Sequence, residues 1–149
     1  MKKFVIVLLA SASIIACKSK DKKTDVPALS QEERNKAVVD TAKFTTIQWL
    51  DSTYRDLGKM REGEVIEVSF RFKNNGTENL IFSNVTAQCG CTVPEKPERP
   101  FVPGEEGVIK AKFDSKGKPV GPVRKEIYAT ANTKQGVNTL TFGVEITNK

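Results

Sequence analysis

The chain has 149 residues and not one histidine. That absence removes Ser-His-Asp triads, Cys-His nucleophile pairs and every His-ligated zinc or iron site at once. Cysteine, methionine and tryptophan are scarce, at three, two and one residues. Carboxylate pairs, a lysine or the thiols are what remains for catalysis, and no pair of carboxylates is spaced for it. Apolar runs are short as well: Phe4 to Ala10 is far below the roughly 20 residues that span a bilayer. Nor does any basic block alternate with aromatics as in nucleic-acid readers, so no nucleic-acid partner is expected.

What is present begins with a leader. Met1-Lys2-Lys3 followed by Phe4 to Ala10 has the form of a secretory signal, a basic start before a short apolar stretch. Ile14-Ile15-Ala16-Cys17 resembles a bacterial lipobox, so Cys17 is the expected lipidation site and residues 1–16 the removable signal peptide. Two or three acyl chains on one residue anchor effectively for good, where one chain does not. The expected partner of the N-terminus is therefore a membrane. Without the leader the formal charge of +6 falls to +4, because Lys2 and Lys3 leave with it.

Residues 17–43 read as the lipidated N-terminus and a flexible tether. Lys18 to Asp25 is polar and has little apolar surface to offset its ordering entropy. A coil of 26 residues averages roughly 25–30 Å end to end. Lys18-Ser19-Lys20 lacks the acidic pair that marks surface export in some lipoproteins, which favours an outer-membrane, periplasm-facing position in the cell envelope. Ser30-Gln31-Glu32-Glu33 has the form of a capping box and allows a short helix over Gln31 to Val39.

From residue 44 to 149 the period changes to two. Ile66 to Lys73 alternates apolar and polar side chains strictly, as do Ile109 to Phe113 and Leu140 to Ile146. Phe44 to Trp49, Leu57 to Met60, Leu80 to Ala87 and Ile127 to Ala131 complete about seven strands. Asn74-Asn75-Gly76 reads as a tight hairpin and Pro103-Gly104 as a turn. No connection holds a helical pattern. The expected fold is all-β, an immunoglobulin-like antiparallel sandwich, with Trp49 as core or half-buried filler.

The residues Asp56-Leu57-Gly58-Lys59-Met60, Gly63-Glu64, Phe70 to Gly76, Leu80-Ile81, Cys89-Gly90-Cys91-Thr92, Pro103-Gly104-Glu105 and Ala131-Asn132-Thr133 resemble, in that order, the bacterial domain of unknown function 1573. The resemblance covers about residues 44 to 147. It implies a sandwich of the major sperm protein and PapD-like group, on exported proteins or lipoproteins of Bacteroidetes and their relatives. It implies no activity and no cofactor.

Cys89 and Cys91 are the residues where unusual chemistry is available, and four readings stay open. A structural disulfide leads: in a regular strand the two Cα atoms would lie about 6.5–7 Å apart, and bending at Gly90 would relax this. Two reduced, buried cysteines are the second reading. Thiol-disulfide exchange is the third, weakened by the lack of a helix N-terminus, with Lys96 and Arg99 as the nearest cations in sequence. Soft-metal binding, such as two-coordinate copper(I), is the fourth, and no metal ligand set is expected. Glu105 and Glu106 read as exposed turn residues. The function expected from all this is a lipid-anchored binding or structural module without catalytic residues, with a protein partner in the cell envelope. By analogy with related folds, an open sheet edge and the loop of Lys96 and Arg99 are where that partner would dock.

Overall fold

A computed structural model describes residues 26–148. The expected signal peptide, Cys17 and the lysine run of residues 18–23 lie outside the described residues. Eight strands follow a short helix: α1 (Gln31–Ala37), β1 (Ile47–Trp49), β2 (Tyr54–Arg61), β3 (Val65–Asn74), β4 (Phe82–Ala87), β5 (Thr92–Glu95), β6 (Glu106–Asp114), β7 (Gly121–Ala131) and β8 (Val137–Thr147). They form two four-stranded sheets, β1-β3-β6-β5 and β2-β8-β7-β4, and this is the expected sandwich.

Alternation builds the core directly. Val68, Phe70 and Phe72 of β3 and Ile109, Ala111 and Phe113 of β6 face Ile127, Ala129 and Ala131 of β7 and Leu140, Phe142, Val144 and Ile146 of β8. Phe72 is the centre of an edge-to-face group, with Phe82 and Phe101 at centroid distances of 5.1 and 4.9 Å and half-buried Trp49 at 5.9 Å. The outer face of β3 and β6 carries the charges, where Glu67 lies opposite Lys112 and pairs diagonally with Lys110 at 3.4 Å.

Two features depart from the sequence reading. One pairing is parallel: β2 runs alongside β8, with a bulge between Asp56 and Lys59. The chain has crossed from one sheet to the other between β1 and β2, which sets the direction. Secondly, Asn74-Asn75-Gly76 is no hairpin, because β3 and β4 belong to opposite sheets. Gly76 is needed there for a close approach, since a Cβ would lie 2.1 Å from Thr45 Oγ1 and 2.5 Å from the Thr46 nitrogen. The Pro103-Gly104 turn does form, closed by Glu105 N–H donating to Val102 O (3.0 Å), with Gly104 at φ 81°.

A buried polar clamp joins the sheets at this end. Thr45 Oγ1 donates to Asn74 Oδ1 (2.8 Å), and Thr45 N–H donates to Asn132 O (2.9 Å). Asn74 Nδ2 donates to Glu78 O and Phe101 O, both at 2.8 Å. Asn132 Oδ1 accepts from Ile81 N–H (2.7 Å), while its Nδ2 donates to Lys43 O (2.6 Å) and Asn79 O (2.9 Å). Both asparagines are fully buried.

The β1–β2 crossing is held by charge. Asp51 accepts from the Arg71 side chain through Nη2 (2.8 Å) and Nε (3.1 Å) and from the Arg71 backbone N–H (2.9 Å). These bonds from Arg71, side chain first, hold the Asp51 carboxyl at about 2. A carboxyl depressed below its ordinary value of 3.8 stabilises the fold above that value, and the contribution is lost as pH falls through about 2. D51N should therefore lower the melting temperature at pH 7 and flatten its fall between pH 4 and pH 2, measured by thermal melts across that range.

Candidate functional site

The chain leaves β4 in one sheet and enters β5 in the other through Gln88-Cys89-Gly90-Cys91, so the cysteine pair lies in a crossover turn rather than in a strand. Thr92 N–H donates to Cys89 O (3.1 Å), closing the turn. Asp114 N–H donates to Cys91 O (2.9 Å), and Gln88 N–H to Glu126 O (3.3 Å), fixing it to both sheets. The turn brings the two Cα atoms to 5.3 Å, and Cys89 and Cys91 are joined in a disulfide. That spacing is well within the usual disulfide range, whereas a straight strand would have stood at or beyond its limit.

Gly90 is not what makes the turn possible. Its φ is not positive, and a Cβ there would meet nothing within 4 Å. The residue leaves an open, exposed surface over the disulfide. Cys89 and Cys91 are each half-buried but differently placed: Cys91 packs against the apolar core, and Cys89 lies with Sγ 3.9 Å from the hydroxyl of buried Thr92. A sulfur in a disulfide carries no proton, so Thr92 is the donor in that contact.

The loop of Lys96 and Arg99 is otherwise employed. Lys96 Nζ donates to Gln31 Oε1 of α1 (2.7 Å). Arg99 lies over the Phe101 ring at 4.9 Å, donates to Pro100 O (3.1 Å) and pairs with Glu105. Arg99 holds Glu105 below the usual carboxylate range, and the Val102 N–H adds to this. Glu105 is thus a clamp residue and not an exposed turn carboxylate. The cations of the loop expected to dock a partner thus have partners within the chain.

Residues 26–43 are also more than tether. The capping box forms as read, with Glu33 N–H donating to Ser30 Oγ (3.3 Å) and Ser30 N–H to Glu33 Oε2 (2.9 Å). Helix α1 then docks through Arg34, which is 1 % exposed. Its guanidinium donates to Leu29 O (3.0 Å), Phe82 O (3.1 Å), Pro97 O (2.9 Å) and Glu98 O. Gln31 Nε2 adds a bond to Ser83 O (2.9 Å). Sequence reasoning missed Arg34 because a charged residue in a polar helix reads as solvated.

These contacts also decide what the sheet edges offer. Edge strand β4 gives its Phe82 and Ser83 carbonyls to α1. Strand β1 has three residues, and β5 has four, with Pro94 among them. Along β2, Tyr54 N–H donates to Ser52 Oγ (3.2 Å), Gly58 N–H to Asp56 Oδ1 (2.9 Å) and Arg61 N–H to Glu64 Oε2 (2.8 Å). The open edge expected to accept a partner strand is blunted by side chains. Among the described residues no group of three or more Cys, Asp or Glu is arranged to hold a metal ion.

The geometry can be set beside known proteins. A family described as protein of unknown function (DUF1573) matches residues 47–146. The chain belongs to this family. At the identities below, likeness of structure shows the fold alone. A protein of unknown function from Porphyromonas gingivalis W83 is 19 % identical, with a TM-score of 0.61 over 70 % of this chain and 48 % of that one. This chain thus spans about half the length of that relative. The PapD-like domain 7 of human CEP192 is 8 % identical, with a TM-score of 0.58 over 72 % of this chain and 89 % of that domain. No curated protein matches.

Two outcomes follow from the bonds around the turn and the helix. Closing so small a loop contributes only about 1.5 kcal/mol, so the double variant C89A/C91A should lose no more than that in urea unfolding, and G90A should stay within about 0.5 kcal/mol of the parent. R34M, which strips charged donors from buried carbonyls, should cost about 2–3 kcal/mol. In R34M the amides of residues 31–37 should lose hydrogen-exchange protection while those of β3 and β8 keep theirs.

Proposed function

We propose that this DUF1573 chain is a lipid-anchored binding module of the cell envelope, tethered through Cys17 to the periplasmic side of the outer membrane. Its disulfide-bearing end is the one offered to a protein partner. The observation that carries this reading is the placement of the described N-terminal segment. Val26, Pro27 and Leu29 lie beside Glu78, Asn79, Ile81 and Pro100, at the end of the sandwich that holds the asparagine clamp. The Cys89–Cys91 turn is at the other end, beside Asp114. The ten residues of β3 separate the two ends by about 30 Å at a strand's rise per residue. Nine residues from Cys17 to Val26 reach at most about 30 Å, so the anchored end stays close to the bilayer. The opposite end then faces outward.

A second reading is thiol-disulfide exchange. It is favoured by a half-exposed disulfide in a turn that three backbone bonds hold without it. The two readings share a surface and differ in chemistry.

A photo-crosslinking residue tests the first reading when introduced at Gly90 or at Lys116, whose N–H donates to Asp114 Oδ1 (2.8 Å), and separately at Glu78, in the lipidated full chain. Protein adducts should form from positions 90 and 116 and be absent from 78, and C17S should shift the chain from the membrane fraction to the soluble one. Adducts from 78 alone, or an unchanged membrane fraction in C17S, would overturn it.

A further inference from the structure

We infer that the two sulfurs have separate duties: Cys89 is the one that exchanges with the dithiol of a partner protein, and Cys91 is the one that leaves and later resolves. Thr92 is the positioning residue for Cys89. This rests on the thiol-disulfide reading and gives it a direction.

The asymmetry is in the packing. Cys91 packs against the apolar core, which hinders an incoming thiolate at its sulfur and keeps the thiol protonated once it has left. Cys89 stands outside that cluster and has a hydroxyl donor, Thr92 Oγ1, 3.9 Å from its sulfur. A thiolate formed on Cys89 would keep that donor and gain from it. Thr92 is itself 3 % exposed, so its hydroxyl is kept beside the sulfur and away from bulk water. Approach is open on the same side, since Gly90 is exposed and a Cβ on it would touch nothing within 4 Å. The bonds Thr92 N–H to Cys89 O, Asp114 N–H to Cys91 O and Gln88 N–H to Glu126 O involve no sulfur, so the turn keeps its shape when the disulfide opens.

The chemistry balances between two dithiols. A partner thiolate attacks Cys89 Sγ, the Cys89–Cys91 bond breaks, and the electron pair leaves on Cys91 Sγ, which takes a proton from water. The mixed disulfide joins Cys89 to the partner. The partner's second thiolate then attacks its own sulfur in that bond and releases Cys89 as a thiolate. The partner dithiol has become a disulfide by giving up two electrons and two protons, and this chain has become a dithiol by accepting the two electrons and taking one proton from water on each sulfur. In reverse, the Cys89 thiolate attacks a partner disulfide and Cys91 resolves it.

Glutathione is the probe for the order of events. The oxidised full chain is mixed with glutathione, quenched with iodoacetamide and mapped by tandem mass spectrometry. Glutathione should be found on Cys89, with Cys91 alkylated, at least tenfold more often than the converse. An even distribution, or a preference for Cys91, would overturn the assignment while leaving the exchange reading standing. A peptide dithiol that fails to reduce the parent disulfide at all would remove the exchange reading itself. For Thr92, the iodoacetamide rate of Cys89 in C91S should fall at least threefold on T92V and recover on T92S, with circular dichroism unchanged. Equal rates in all three would rule out the hydroxyl.

Discussion

Thr45 is the point on which the two sheets agree. Its hydroxyl reaches Asn74 at the end of β3, and its backbone reaches Asn132 just beyond β7, so one residue before the first strand ties a residue from each sheet. Across the middle of the sandwich the sheets meet mainly through apolar side chains, which fix distance well and sliding poorly. A fully satisfied buried polar group has directional needs, and here these needs set the register of one layer on the other. The crowded approach of Gly76 to Thr45 has the same origin: the clamp pulls the chain in until only a glycine fits.

How much of this could be read from the residues follows from which force shaped each part. Strands β3, β6 and β8 were legible because burial on one face imposes strict alternation, and the sandwich followed from them. Strand β5 was not, because Pro94 argues against a strand and only an edge position tolerates it. Asn74-Asn75-Gly76 carries the composition of a hairpin turn, yet its asparagine is spent on side-chain bonding within the clamp and its glycine on steric room. Helix α1 was legible at its cap and illegible in its docking, which depends on Arg34 reaching carbonyls far along the chain. The cysteine pair was legible as a pair. Its turn was not, since the crossing between sheets is a property of topology and not of local composition.

The same contacts narrow what the molecule offers to others. Three means of closing sheet edges operate at once: short strands, a proline, and side chains that take up the spare amides and carbonyls. The end with the clamp is occupied by the chain's own N-terminal segment. What stays accessible and chemically distinctive is the disulfide crossover, supported by both sheets. As a DUF1573 domain the chain shares a fold with PapD-like sandwiches, and the cysteine crossover is local chemistry carried on that fold.

The parallel pairing of β2 with β8 has a consequence for assembly. The last strand is inserted between β2 and β7, so the second sheet has a gap until the final eleven-residue strand arrives. Nothing shorter than nearly the whole domain can close that layer, and contacts so distant along the chain are slow to form. A chain of this design has no continuous second layer until β8 takes its place between its two neighbours.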